Sequence, residues 1–342
     1  MAVTIRDVAK RLGISIYTVS RALDGYNDVA ESTRKRVIET AKEMGYTPSR
    51  AARQLRRRRA DTIGYILPVT GPRFRDPFFL EFIAGLGDEC TTQKYDLLVS
   101  IATPDSQAEK EIYERWVQGH LVDGMVLNRM RLDDWRVEYL LKRPFAFSVH
   151  GRTLVEGEYP FIEMDSRSGI AILVRHLFEQ GHRRIAYIGA PSIFTLQADR
   201  FAGYRQGLSE AGIPFDESLV VEGDLTRAGG RQQALRLLDL PQPPTAMIGA
   251  NDLTAVGALR AANERGLVVG RDLAIAGFDG IEESEHAQPP LTTLRVPIYE
   301  TARQLVSLVI AQIAGETITG MSRTIMPELI IRDSTGYYHR SP

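Results

Sequence analysis

The sequence predicts an α/β protein in two parts: an all-α helix-turn-helix head, then a core of two doubly wound parallel-sheet lobes. Three observations carry this expectation. From Asp61 onward, short apolar runs alternate with amphipathic helical stretches, the rhythm of βαβ units. That rhythm restarts after Asp165, so it describes two lobes. Before Asp61 the apolar residues recur only at helical spacing. Charge divides at the same place: residues 1–60 hold 14 Lys/Arg and 6 Asp/Glu, a net of +8, and the remainder has a net of -9. A basic head on an acidic body is the footprint of a nucleic-acid-binding module joined to something else. The length of 342 residues exceeds one ordinary core, and 44% hydrophobic with 25% charged residues is a globular composition.

Thr4 to Gly13 and Ile14 to Leu23 read together as helix, tight turn, helix. Ile5, Val8, Ala9 and Leu12 share one face, Thr4 caps it, Gly13 ends it and Ser15 caps the next helix. In that second helix Val19, Ala22 and Leu23 are expected inward, with Ile16, Tyr17, Ser20 and Arg21 on the other side. Such a pair places its second helix in the DNA major groove. There Arg21 can reach a guanine edge or a phosphate, and Ile16 and Tyr17 can touch thymine methyls or the backbone. Thr4, Ser15, Thr18, Ser20 and Asn27 complete the expected DNA face. Val29 to Met44 reads as a third helix with Val37, Ile38, Ala41 and Met44 on one face, stopped by Gly45.

Next comes Y-T-P-S-R-A-A-R-Q-L-R-R-R-R, from Tyr46 to Arg59. Val3 to Arg59 resembles the DNA-binding headpiece of LacI-family transcriptional regulators, in its T-V-S-R-A-L, its G-Y-x-P turn and its A-A-R-x-L hinge. The rest resembles the sugar-binding core of that family, so the likeness covers almost the whole chain. It implies a headpiece over 1–47, a hinge helix and linker over 48–60, and an effector-binding and dimerisation core over 61–342. In the hinge Ala51, Ala52 and Leu55 form one stripe among Arg50, Arg53 and Arg56 to Arg59. So short a helix is not stable alone and is expected to fold against DNA and a partner copy. The resemblance implies that two such helices lie in the minor groove and that Leu55 wedges a base step apart, with Arg50, Ala52, Arg53 and Arg56 beside it. Ser49 stands where the family usually has Asn.

In the body, strands are expected at Thr62–Val69, Tyr95–Ala102, Asp123–Leu127 and Phe145–His150, with helices at Phe78–Cys90 and Ser106–Val117 between them. After Asp165 come the helix Gly169–Gln180, the strand Arg183–Gly189, the helix Ala202–Ala211 and the strand Leu219–Glu222. A helix from Gly230, the strand Thr245–Ala250, the helix Leu253–Arg265 and the strand Leu273–Asp279 follow. Two such lobes make a cleft, with ligands at the carboxyl ends of the strands. This matches the type I periplasmic-binding-protein-like fold of the family. The resemblance implies crossings near 161–165, 290–296 and 323–326, hence one lobe of 61–163 with 292–324 and another of 164–291 with 325–342.

Motifs that resemble ligand-binding positions are R-D-P-F-F after the first strand, V-H-G-R after the fourth, D-R-F-A-G-Y, A-N-D-L-T-A-V-G and G-F-D-G. They nominate Phe74, Asp76, Phe78, His150, Arg152, Asp165, Arg200, Asn251 and Asp279. The residue types suit a polyol, because Arg donates in a fixed fork and carboxylates accept from paired hydroxyls. Asn251 and Asp252 read equally as helix caps, and His150 equally as a solvated loop histidine. Arg200 and Asp279 are expected at strand-exit loops. Leu225 stands where some members place an aromatic stacker.

Cys90, the single cysteine, excludes a disulfide framework and a multi-cysteine metal site and reads as a core residue. No apolar run is long enough to span a bilayer, and Met1 leads straight into the first helix, so a cytoplasmic location is expected. The sequence holds no G-x-S-x-G elbow, P-loop, G-x-G-x-x-G opening a helix, or H-E-x-x-H, so it is not read as an enzyme, and no cofactor is expected. The alternatives are a sugar-binding protein or a sugar-modifying enzyme with an accessory DNA-binding domain. The expected partners are a pseudo-palindromic double-stranded operator, a mono- or oligosaccharide effector and a second copy of the chain. F-R-D-P-F-F with H-G-R-T resembles members that sense α-glucosides or other oligosaccharides. Whether the sugar releases or tightens DNA binding is left open, and nothing after Tyr338 reads as a heptad tail for tetramers.

Overall fold

The Asp7 carboxylate accepts both the backbone N–H of Thr4 at 2.9 Å and its hydroxyl at 2.7 Å, which fixes the start of helix α1 (Ile5–Leu12). Gly13, at φ 67°, ends it in the left-handed region that favours glycine. Ser15 Oγ then accepts from Thr18 N at 3.0 Å and opens α2 (Ile16–Leu23). The third helix, α3, runs Glu31–Glu43, so Val29 lies before it rather than within it. Val8, Ala9, Val19, Ala22, Val29, Val37 and Ala41 form the core of the head. Ile38 is not on the inner face as expected: it is 49% exposed, because Val37 and Ala41, four apart, define the buried stripe.

This computed structural model describes residues 3–46, 59–69, 76–317 and 319–336, in two units that divide between Ala60 and Asp61. The hinge residues Arg50, Ala52, Arg53, Leu55 and Arg56, and Phe74 of the expected ligand site, lie outside the described residues.

The second unit alternates as expected. Its first half runs β1 (Thr62–Pro68), α4 (Pro77–Thr92), β2 (Asp96–Ala102), α5 (Gln107–Gln118), β3 (Gly124–Leu127), α6 (Trp135–Leu141), β4 (Ala146–His150) and β5 (Phe161–Met164). The second half runs α7 (Ser166–Glu179), β6 (Ile185–Gly189), α8 (Thr195–Glu210), β7 (Val220–Glu222), α9 (Arg227–Leu238), β8 (Ala246–Gly249), α10 (Asp252–Glu264), β9 (Ala274–Asp279) and α11 (Glu282–His286). The chain closes with β10 (Thr292–Arg295), α12 (Ile298–Ile313), β11 (Arg323–Ile325) and β12 (Glu328–Ile330).

Two six-stranded sheets result, ordered β11-β5-β4-β3-β1-β2 and β12-β10-β9-β8-β6-β7. All pairs are parallel except β10 with β12. Central strands such as β1, β3 and β9 are covered on both faces by helices and read as continuous apolar runs. In each sheet the order reverses at the first strand of its half, β1 or β6, and the crevice beyond that point is where ligands bind doubly wound sheets. Cys90 is buried in the core, and burial pushes its thiol up to about 12.

Two differences from the sequence reading bear on the site. β10 pairs with β9 over Thr292 to Arg295 and belongs to the second sheet, so the crossing back to the first lobe follows Arg295 rather than preceding Thr292. Three consecutive buried residues, Thr292 to Leu294, need a sheet neighbour on each side, and β9 and β12 supply them. The helix expected at Ala202 starts at Thr195, which carries Arg200 onto a helix instead of a strand-exit loop. Within the second lobe α9 and α10 cross at backbone contact: a Cβ on Gly257 would fall inside the Arg227 carbonyl oxygen, and one on Gly230 inside that of Thr254.

Candidate functional site

On the head, α2 presents Ile16 and Tyr17, the latter 68% exposed, and Asn27 is exposed in the following loop. Thr18 Oγ1 lies 2.8 Å from Ser15 Oγ, so these two hydroxyls satisfy each other at the start of the helix. Ser20 does not point outward as expected. It is 7% exposed, and its hydroxyl turns to the Asp24 carboxylate at 3.3 Å, because position 20 lies next to Val19 on the packed side. Arg21 holds a formed set of partners: Asp28 on one edge, the Tyr17 hydroxyl and the Tyr26 ring.

In the second unit the carboxyl ends of β3, β4, β5, β8 and β9, with α4 and α8, line a cleft enclosing about 750 Å³ of empty space, including its open mouth. Phe78, His150, Arg152, Arg200, Asn251 and Asp279 line it, as the sequence nominated. Asp76 and Asp165 do not line it. Asp76 caps α4 through Phe78 N at 3.1 Å and holds Arg129, which does reach the cleft, at 3.1 Å. Asp165 caps α7 through Ser168 N at 3.0 Å. Both carboxylates are turned aside by the open N–H groups of a helix start.

Arg200 is 7% exposed and reaches from the second turn of α8. Its guanidinium carbon lies 3.7 Å above the Phe278 ring, Nη1 donates to the Ala250 carbonyl, and Nη2 is 3.6 Å from Asp279 Oδ1. Burial pushes the Asp279 carboxyl up to about 7 against the opposing pull of Arg200. Asp279 also sits at φ 119°, a left-handed backbone that an aspartate tolerates at a cost, and such strain concentrates at binding sites. His150 stacks on Phe78 at 5.9 Å, and burial with the Arg200 and Arg129 charges lowers it to about 4, so it is neutral. Arg152, at the rim, is paired with Glu163 at 2.7 Å. Asn251 is the cap of α10, accepting from Thr254 N at 3.0 Å while it donates to the Leu225 carbonyl at 3.2 Å. Asp252 is fully buried, bonded by Gly280 N, Ile281 N and the Thr293 hydroxyl, and its pKa is raised by that burial.

Sequence reasoning missed one wall of the cleft, Asn128 to Met130. Buried Arg136 donates to the carbonyls of Asn128 and Arg129 at 3.2 and 3.1 Å and is itself paired with Asp134 at 2.7 Å. Arg131 pairs with Glu109 at 2.9 Å beneath. This buried ion cluster stiffens a segment that crosses to the other lobe: Leu132 N donates to Ile193 O at 3.0 Å and Thr195 N to Met130 O at 3.1 Å, an antiparallel bridge. No local pattern announces it, since the partners lie on separate elements. Two buried cleft atoms, Asn128 Oδ1 and Arg200 Nε, have no hydrogen-bond partner among the described residues. Asp199, at the mouth, is raised by partial burial and then by Glu163.

Among the described residues no helix is long and apolar enough to cross a membrane, and no group of three His, Cys, Asp or Glu is placed to hold a metal ion.

Comparison with known proteins gives two family matches: "Bacterial regulatory proteins, lacI family" over residues 4–49 and "Periplasmic binding protein-like domain" over residues 174–335. The transcriptional repressor CytR of Escherichia coli K12 is 37% identical over 98% of this chain and 96% of its own length. Among solved structures, the complex of the transcriptional regulator CelR with cellobiose is 30% identical, with TM-score 0.75, over 97% of this chain and 99% of that one. The lac repressor dimer bound to operator and the anti-inducer ONPF is 27% identical, with TM-score 0.85, over 98% of this chain and 100% of that one.

Proposed function

Since the chain belongs to the lacI family of bacterial regulatory proteins, we propose that it represses carbohydrate uptake or catabolism genes, binding an operator as a homodimer and responding to an uncharged sugar in the cleft. One headpiece reads one half-site, so a pseudo-palindrome and two copies are needed. The observation that carries the effector class is the state of the cleft's charges. Arg129 is paired with Asp76, Arg152 with Glu163 and Arg200 with Asp279, so none of these three cleft arginines, among the described residues, is free for a phosphate. Yet Asn128 Oδ1 and Arg200 Nε wait for a donor and an acceptor. A sugar hydroxyl both donates and accepts, and satisfies either. The solved complex of CelR with cellobiose supports the same class.

The residues assigned to this task are Phe78, Asn128, His150, Arg152, Arg200, Asn251 and Asp279 for the sugar, and Ile16, Tyr17 and Arg21 for bases. Arg50, Ala52, Arg53, Leu55 and Arg56 are assigned to the minor groove on the resemblance alone. The protein binds and regulates; it is not proposed to catalyse, and it works in the cytoplasm, where the DNA is. Ligand acts only through its different affinity for the two arrangements of the lobes, and a coupling of about 1–3 kcal/mol changes operator affinity roughly 5- to 150-fold.

The test is fluorescence anisotropy with labelled DNA from upstream of the chain's own gene, titrated with neutral mono- and disaccharides and with sugar phosphates. Release by one neutral sugar makes that sugar the inducer. Tighter binding makes it a co-repressor. A response to sugar phosphates alone refutes the uncharged class, and absence of specific DNA binding under every condition refutes the regulator reading.

A further inference from the structure

The loop between α2 and α3 is pinned to the head at three places. Val29 enters the core, Gly25 turns the chain at φ 77°, and Arg34 of α3 donates to the Tyr26 carbonyl at 2.7 Å. So fixed, the loop carries Tyr26 and Asp28 up against Arg21. Arg21 Nε donates to Asp28 Oδ1 at 2.9 Å, and Nη2 lies 2.6 Å from Oδ2, a bidentate pair along one edge of the guanidinium. The Tyr26 ring covers its face at 4.1 Å, and Nη1 donates to the Tyr17 hydroxyl at 3.1 Å.

An aspartate on the DNA side of a basic head opposes the phosphate attraction on which non-specific binding depends, so its presence there calls for a use. A guanidinium has five N–H donors. Asp28 takes those of Nε and one on Nη2, and Tyr17 takes one on Nη1. One hydrogen remains on Nη1 and one on Nη2, which is the pair that guanine O6 and N7 accept in the major groove.

We propose that Asp28 is a positioning residue for base reading: it occupies the Nε edge of Arg21, so that the guanidinium meets a guanine with its Nη1 and Nη2 hydrogens in a fixed orientation. Asp28 sharpens specificity in two ways. It removes the ordering that Arg21 would otherwise undergo on binding. It also weakens attachment to DNA that lacks the guanine, because an Arg21–Asp28 pair without its base brings an uncompensated carboxylate beside phosphates.

The inference rests on α2 being the groove helix, and the experiment separates the two. The full chain is used to select duplexes from a randomised pool. The guanines of the selected half-site are then replaced singly with 7-deazaguanine, which lacks the N7 acceptor. Loss of about 5-fold or more in affinity identifies the guanine read by Arg21. Asp28→Asn and Asp28→Ala should shrink that loss to under about threefold and strengthen binding to unrelated duplex, so that the specificity ratio falls. In an Arg21→Lys background, where no fork is left to orient, the same Asp28 changes should leave the ratio unaltered. Circular dichroism melting of each variant reports any unfolding of the head, and Asp28→Asn, which keeps the side-chain volume, is the decisive variant if Asp28→Ala melts early. If both Asp28 variants bind selected and unrelated DNA more tightly by the same factor, the carboxylate is only a repulsive charge and the proposal is overturned. An undiminished 7-deazaguanine penalty in Asp28→Asn overturns it as well. Failure of the full chain to enrich any sequence overturns both this proposal and the groove-helix reading.

Discussion

Replacing Arg200 with alanine separates stability from ligand recognition. The side chain is buried, and its removal leaves the Ala250 carbonyl unpaired and the Phe278 face uncovered. A fixed buried ion pair that loses one partner costs about 3–5 kcal/mol. Here the cost is smaller, because the remaining acid has an exit. Burial already pushes the Asp279 carboxyl up to about 7. Without Arg200 it rises further and takes a proton at neutral pH, at a cost of about 1.4 kcal/mol per pKa unit that has to be crossed. What remains is the unpaired carbonyl and the lost packing, about 1–3 kcal/mol. The effect on ligand is larger. A bound sugar loses a charged donor and an ionised acceptor together, each worth about 1.5–3 kcal/mol and not additive. A net loss of about 2–4 kcal/mol corresponds to roughly 30- to 1,000-fold weaker binding. The assay is calorimetric titration with the effector found by anisotropy, beside thermal melting and operator binding of the ligand-free variant, which should be normal. Sugar affinity within about threefold of the parent would remove Arg200 from the site. A melting loss that persists undiminished at pH 6 would refute the protonation argument.

Three further outcomes are expected. Asp279 has a folded pKa raised above its unfolded value of 3.8 to about 7, so its contribution to stability is full below pH 4 and is lost as pH rises toward 7, with a slope of at most about 1.4 kcal/mol per pH unit; melting Asp279→Asn beside the parent from pH 5 to 8 should show the parent alone losing this increment, and parallel curves would count against it. Thr195→Pro removes both the N–H and the hydroxyl that donate to Met130 O across the lobes, at the first position of α8, where proline is well tolerated and the preceding Phe194 is already extended. It should weaken sugar binding about 2- to 10-fold with little change in melting, and unchanged affinity would show that the bridge does not hold the liganded state. Gly257→Ala should cost about 1–3 kcal/mol by forcing α9 from α10, read as a melting point lower by several degrees; an unshifted melting point would mean that the helices separate freely.

How far the sequence reached depended on the range of each signal. Gly13 and Ser15, which act on the turn that contains them, placed the helices of the head within a residue or two. Strand–helix alternation gave both sheets for the same reason. The cleft was legible where a residue type announced its chemistry, as with Arg200 and Asp279. It was misread where a carboxylate had a nearer use, since Asp76 and Asp165 cap helices. Ser20 and Ile38 went astray because helical periodicity fixes a stripe only to within one residue at its margins. The wall from Asn128 to Met130 and its support by Arg136 lay beyond reach, because burial of Arg131, Asp134 and Arg136 depends on Glu109 from a separate helix and on the bridge to Ile193 and Thr195. β10 was assigned to the wrong lobe because T-T-L-R carries no mark of which sheet it joins.

The three passages of the chain between sheets bear on how this unit is made and unmade. The outermost strand of the first sheet, β11, and that of the second, β12, come from residues 323–325 and 328–330, and α12, which packs on α4, lies just before them. Neither lobe therefore has all its strands until residues 323–330 have left the ribosome, and no single cut releases one lobe intact. A nick near residue 296 would separate the backbone yet leave two interleaved fragments, each owing strands to the other. The unit is accordingly expected to melt as one body, even though it is drawn as two.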